Sequence, residues 1–198
     1  MRALGKGSLA SIIKVVLDIA WVVLWVAAGC LALGVVCYLG VVAAIQFGAL
    51  SPEVLESSSR TVEVGPVTVE TRSEDRLVFH VVAPALLSAA VAVGGALVIL
   101  WRLKHLFKNF TSGEPFSRDN ASHLRVIWIA MLVMELSRYA IAAAVALFVA
   151  IFGQPERTTI EVDAPVNFMT WCAIFVLIVL AEVFREGARL KEEQELTI

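Results

Sequence analysis

Ile19–Gly48 reads IAWVVLWVAAGCLALGVVCYLGVVAAIQFG, thirty residues without a single charge. An α-helix rises 1.5 Å per residue, so ~20 apolar residues are enough to cross ~30 Å of hydrocarbon. A water-soluble helix of this length would need a polar face, and this stretch offers none. It therefore reads as a membrane span, and its surplus length predicts tilting or protrusion at one end. The uncharged run continues to Pro52. That is far longer than the apolar core of a secretory signal, so a retained helix is expected rather than a cleaved leader.

Three further apolar blocks follow. The spans are expected at about 19–48, 77–101, 126–152 and 165–181 of a single membrane domain, 1–198. Pro84 falls in the first turns of the second span, where a missing amide donor costs little. The whole chain agrees with this reading: 59% of its residues are hydrophobic and only 17% charged, with a mean hydropathy of +0.83. Charges collect between the blocks. The expected fold class is an all-α integral membrane protein, a four-transmembrane-helix bundle.

Orientation follows from where Lys and Arg lie, because basic residues are retained on the cytoplasmic side. The N-terminus carries Arg2, Lys6 and Lys14. The middle loop (102–125) carries Arg102, Lys104, Lys108, Arg118 and Arg125, and the tail (182–198) Arg185, Arg189 and Lys191. The other two loops, 49–76 and 153–164, hold only Arg60, Arg72, Arg76 and Arg157. Both termini are thus expected in the cytoplasm of a cell whose inner membrane holds the chain. In the outer loops, Val62, Val64, Val67 and Val69 alternate with polar residues around Gly65-Pro66, and Ile160 and Val162 repeat the pattern. Alternation at a period of two predicts a small extracytoplasmic β-hairpin or sheet capping the bundle.

Within the spans, Ser88, Ala92 and Ala96 recur every four residues, as do Ala140 and Ala144, with Ala142 and Ala146 beside them. Such spacing favours close helix approach in lipid. Glu135 and Arg138 interrupt the third span roughly 14 Å from Val126, near mid-bilayer. Three residues apart, they share a helix face and can pair. An intramembrane charge is costly unless paired or wet, and by default marks function; the structural alternative is an ion pair that fixes register. His80, at the outer end of the second span, is a possible pH sensor by its ordinary titration range, or simply an interfacial histidine. Cys30, Cys37 and Cys172 all lie in apolar blocks and form no ligand pattern, so no metal and no cofactor are expected. No phosphate-binding loop, nucleophile elbow or zinc motif occurs. No catalytic residues are assigned, and an enzyme is not expected.

Leu103–Arg125 reads LKHLFKNFTSGEPFSRDNASHLR, and the end of the chain VFREGARLKEEQELTI. The second helix can continue through LKHLFKNF and break at Ser112-Gly113, with Ser117 as N-cap of the third. In the tail, Phe184, Ala188 and Leu190, with Leu196, suggest an apolar stripe on a charged extension. These stretches resemble a bacterial membrane family known only as a domain of unknown function, DUF2975. The likeness rests on Leu103, Phe107, Gly113, Pro115, Phe116, Ser117, Asn120, Leu124 and Arg125, and on Phe184, Gly187, Leu190, Glu193, Leu196, Thr197 and Ile198. The resemblance implies four spans, no known catalytic residue, and a gene context beside a small helix-turn-helix regulator. Phe107, Pro115, Phe116, Phe184, Gly187, Leu190, Leu196 and Thr197 are accordingly the candidate partner-binding residues. The expected function is a membrane-embedded regulator or sensor that tethers or releases such a DNA-binding protein, with no direct contact to nucleic acid. A small oligomeric transporter or channel lined by Glu135 and Arg138 is an alternative, and so is an accessory or immunity-type protein that binds another membrane protein laterally. Besides the lipid bilayer, a homo-oligomer partner stays open.

Overall fold

The structure, a computed structural model, describes residues 9–48, 60–64, 67–71, 77–111, 118–152, 158–162 and 166–195, with side chains over 13–48, 82–109, 119–148, 150–151 and 166–194. In chain order its elements are α1 (Leu9–Gln46), β1 (Arg60–Val64), β2 (Val67–Thr71), α2 (Leu77–Thr111), α3 (Arg118–Phe152), β3 (Thr158–Val162) and α4 (Phe168–Glu195). The helices are 38, 35, 35 and 28 residues long. At 1.5 Å per residue even the last reaches about 42 Å, more than the hydrocarbon layer requires. All four are long and apolar enough to cross a membrane, and this is a multi-pass membrane protein. In α2 and α4 the surplus lies in charge-bearing stretches, so α2 runs on through Lys108 and α4 through Glu193 as regular helix.

Local chemistry sets the ends. Asn167 precedes α4 and its Oδ1 accepts the Thr170 amide at 3.3 Å, while its carbonyl accepts the amides of Thr170 and Trp171. This is an asparagine N-cap, and it starts the helix at Phe168 rather than at Pro165. α1 closes through Phe47 and Gly48, whose amides bond back to Ala43 and Ile45. Gly48 has φ 71°, a left-handed conformation that glycine adopts without a Cβ penalty. Asp119 lies in the first turn of α3, where the helix dipole favours a negative charge. Pro84 is the eighth residue of α2, two turns in. There it withholds the donor that the residue 80 carbonyl would otherwise receive, so it is a mid-helix proline and not a first-turn one.

The chain divides into two compact units. The first comprises 1–26, 94–133 and 167–198. Its core is Leu106 of α2, Leu124 of α3 and Ala181 of α4, with Leu103, Trp128, Leu177 and Phe184 packed around them. The line Ile174, Leu177, Ala181, Phe184 and Ala188 marks the inward face of α4, at steps of three and four that keep one helix side together. Ala188 is 2% exposed but Leu190 is 50% exposed. The tail therefore does not present Phe184, Ala188 and Leu190 as one stripe. At 100° per residue Leu190 lies roughly 240° around from Phe184, on the outward side.

The second unit comprises 27–93 and 134–166. It contains a three-stranded antiparallel sheet in the order β1-β2-β3. Val62, Val69 and Ile160 share one register row, and Val64, Val67 and Val162 share the next but one. The row between them holds Glu63, Thr68 and Glu161, so the polar and apolar positions separate at a period of two. On α3 in this unit the buried residues are Glu135, Ala142 and Val145. Ala140 and Ala144 are exposed, as is Ala92 of α2. Of the described small residues of α3 in this unit, Ala142 is the buried one.

Candidate functional site

Two polar constellations stand out among the described residues, one in each unit. In the second unit, Glu135 occupies the centre of α3, with seventeen residues of helix on either side. Its side chain is 8% exposed. The Tyr139 hydroxyl donates to Glu135 Oε1 at 3.0 Å, and Arg138 Nη1 lies 3.9 Å from Oε2. The guanidinium also stands 5.4 Å from the Tyr139 ring centroid. Residues at i+3 and i+4 lie over the same face as residue i, which is why one helix supplies all three groups. At 3.9 Å the Arg138 contact is electrostatic rather than a hydrogen bond; the short contact is Tyr139's. Ser137 does not join the group, since its hydroxyl donates to the Met134 carbonyl at 2.9 Å, a local back-bond that satisfies it within the helix.

Tyr139 was not a sequence-level candidate. Its signal was available: a phenol four residues after an intramembrane carboxyl. The arrangement sets a phenol donor and a guanidinium beside a carboxyl group that is shielded from solvent, and nothing in it supplies a nucleophile with a base.

In the first unit, polar groups join the charge-bearing ends of the helices. Asn109 Nδ2 donates to Asn120 Oδ1 at 2.9 Å, bridging α2 to α3 on either side of residues 112–117. Asn120 is 0% exposed. Arg102 Nη1 lies 3.2 Å from His123 Nδ1; arginine can only donate, so that ring nitrogen is the acceptor. His105 donates from Nδ1 to the Trp101 carbonyl at 2.9 Å, and its ring lies 5.8 Å from that of His123. Lys104 Nζ reaches Asp18 Oδ1 at 2.6 Å and stands 5.5 Å from the Trp21 ring, which attaches α1 to α2. No group of three metal-ligating side chains occurs among the described residues.

Beside this core an open groove of about 730 Å³ runs between α3 and α4, with Ser122, Arg125 and Trp128 on one wall and Ile178, Arg185 and Arg189 on the other. Two carboxyls on the α4 wall are held by their own helix: Glu182 pairs with Arg185, and Glu186 lies 3.0 Å from Arg189. Arg189 also reaches Glu193 at 3.2 Å.

The profile of a family described as a protein of unknown function, DUF2975, matches residues 67–198. The chain belongs to that family. The matched part of this DUF2975 protein takes in α2, α3 and α4 and leaves out α1 and β1. No curated protein and no solved structure matches the chain.

The residues that carry the DUF2975 likeness fall into two sets. Leu103, Asn120, Leu124 and Phe184 are core or core-packed, so their presence is explained by packing. Phe107 and Gly187 are half-buried, whereas Arg125, Leu190 and Glu193 face outward. Gly113, Pro115, Phe116 and Ser117 lie outside the described residues, as do Leu196, Thr197 and Ile198. His80 lies in the first turn of α2, and its side chain is outside the described set.

Proposed function

We propose that this DUF2975 protein is a non-enzymatic regulator of the inner membrane. In this reading both termini are cytoplasmic, and the first unit holds and releases a small helix-turn-helix DNA-binding protein. The observation that carries the reading is the packed core of Leu106, Leu124 and Ala181 with the buried Asn109–Asn120 bond beside it. Plain connectors between spans do not need a core. Here the charge-bearing ends of α2, α3 and α4 form a built surface, suited to presenting a fixed pattern to a soluble partner. The basic residues of 102–125 and 182–191 put that surface on the cytoplasmic side by the positive-inside rule. The sheet β1-β2-β3 is then extracytoplasmic, a cap where a signal is received, and the two faces communicate by a shift between two states of the helices. The partner-facing positions are the outward ones, Leu190 and Glu193, with Phe107 and Gly187 as further candidates, and Pro115, Phe116, Leu196 and Thr197 outside the described residues.

The test is co-purification of the detergent-solubilised protein with soluble protein from the same cell, comparing the natural chain with Leu190→Glu. Leu190 is outward-facing, so the variant keeps the core. Recovery of a small DNA-binding protein by the natural chain and its loss with Leu190→Glu is the expected result. Equal recovery, or no such protein with either, refutes the reading.

A second reading draws on the Glu135–Arg138–Tyr139 constellation. A shielded carboxyl in mid-helix is what an oligomeric ion or proton pathway requires. Flux in liposomes that stops with Glu135→Gln while partner capture persists favours that reading.

A further inference from the structure

The groove between α3 and α4 has a gradient along it. Trp128, Ile178 and Ala181 make one part apolar, and Ser122, Arg125, Arg185 and Arg189 make the other polar. Its volume of about 730 Å³ is within the ~300–1,000 Å³ of small-molecule sites. Arg185 and Arg189 are engaged by Glu182 and Glu186, whereas Arg125 has no acidic partner among the described residues and is exposed. A guanidinium presents donors in a fork that matches a phosphate, and an indole beside it suits the interface between hydrocarbon and water. We infer that this groove binds an anionic phospholipid, with the phosphate on Arg125 and an acyl chain along Trp128, Ile178 and Ala181.

A lipid satisfies both halves of the groove at once. A free anion leaves the apolar half uncovered, and a zwitterionic lipid brings a cationic headgroup toward the Arg125 guanidinium. The bilayer supplies the ligand at the site's own depth. This inference does not rest on the regulator reading, since it needs no soluble partner.

The experiment uses the full chain, delipidated in detergent and titrated with dioctanoyl phosphatidylglycerol or dioctanoyl phosphatidylcholine, with binding read by native mass spectrometry. Phosphatidylglycerol should half-saturate the protein at a concentration about tenfold lower than phosphatidylcholine, because both offer a phosphate to Arg125 but only phosphatidylcholine also brings a quaternary ammonium against the guanidinium. Arg125→Gln should abolish that preference. Ser122→Trp, at an exposed position on the groove wall, should block binding of both lipids while the lipid-free melting temperature stays within a degree or two of the natural chain. Equal affinity for the two lipids overturns the inference, as does a preference that survives Arg125→Gln or binding that survives Ser122→Trp. Displacement of phosphatidylglycerol by millimolar inorganic phosphate also overturns it, and reassigns the groove to a free anion.

Discussion

Replacing Asn120 with alanine tests the bond between the adjoining ends of α2 and α3. Asn120 is 0% exposed and accepts from Asn109 at 2.9 Å. The substitution removes that bond, worth about 1 kcal/mol net, and leaves the half-buried Asn109 amide without this acceptor. It also leaves a void where the carboxamide stood, adding about another 1 kcal/mol. A loss of about 2 kcal/mol corresponds to roughly 4–8 °C in melting temperature for a chain of this size. The assay is thermal unfolding in detergent, followed by tryptophan fluorescence, for Asn120→Ala, Asn109→Ala and the double variant. The two substitutions should couple by about 1 kcal/mol, because the second removes a group whose bond across the two helices is already lost in the first. Strict additivity would refute the reasoning, since it would mean the bond contributes nothing to joining the helices.

Tyr139→Phe keeps the ring and removes only the donor to Glu135; it should cost about 1 kcal/mol, and Glu135→Ala should cost more. Both are read as melting shifts, and a Phe variant as stable as the natural chain would deny Tyr139 its part in holding the carboxyl. Ala188→Phe should destabilise by about 1–3 kcal/mol through overpacking, whereas Leu190→Glu on the outward side should change stability by less than about 0.5 kcal/mol. The reverse order would place the inward face of α4 elsewhere. Lys104→Met breaks a pair whose side chains are 33% and 50% exposed, so the melting temperature should fall only slightly, and by less still in high salt.

The four helices were legible because a bilayer imposes a length and polarity that few other environments require. The pairing of Glu135 with Arg138 was visible as a spacing of three. Tyr139 at a spacing of four was overlooked, although the same helical geometry places it on that face. Asn120 entered the sequence reading only through a family likeness. Nothing local marks a buried asparagine, and its partner Asn109 lies eleven residues back, on α2. The tail misled for a different reason. Phe184, Ala188 and Leu190 are the apolar residues available there, but a helix face follows angle. The face that packs runs through Ala181 and Ala188, small residues with little hydrophobic signal. The second helix begins at Leu77 in the sequence reading and in the structure alike, but Pro84 is its eighth residue, past the first turn, where a proline does remove an intrahelical hydrogen bond.

α1 stands apart from the rest in what its sequence must satisfy. None of the residues in its most apolar window is buried, the matched family profile begins after it, and the Asp18–Lys104 pair joins it to α2 beside buried Leu17. In a saturation mutagenesis experiment this helix should accept almost any apolar residue along its length. Intolerance should gather at Leu17 and at charged replacements within the window. Such a helix constrains composition more than order, and its sequence can drift freely while α2, α3 and α4 stay recognisable.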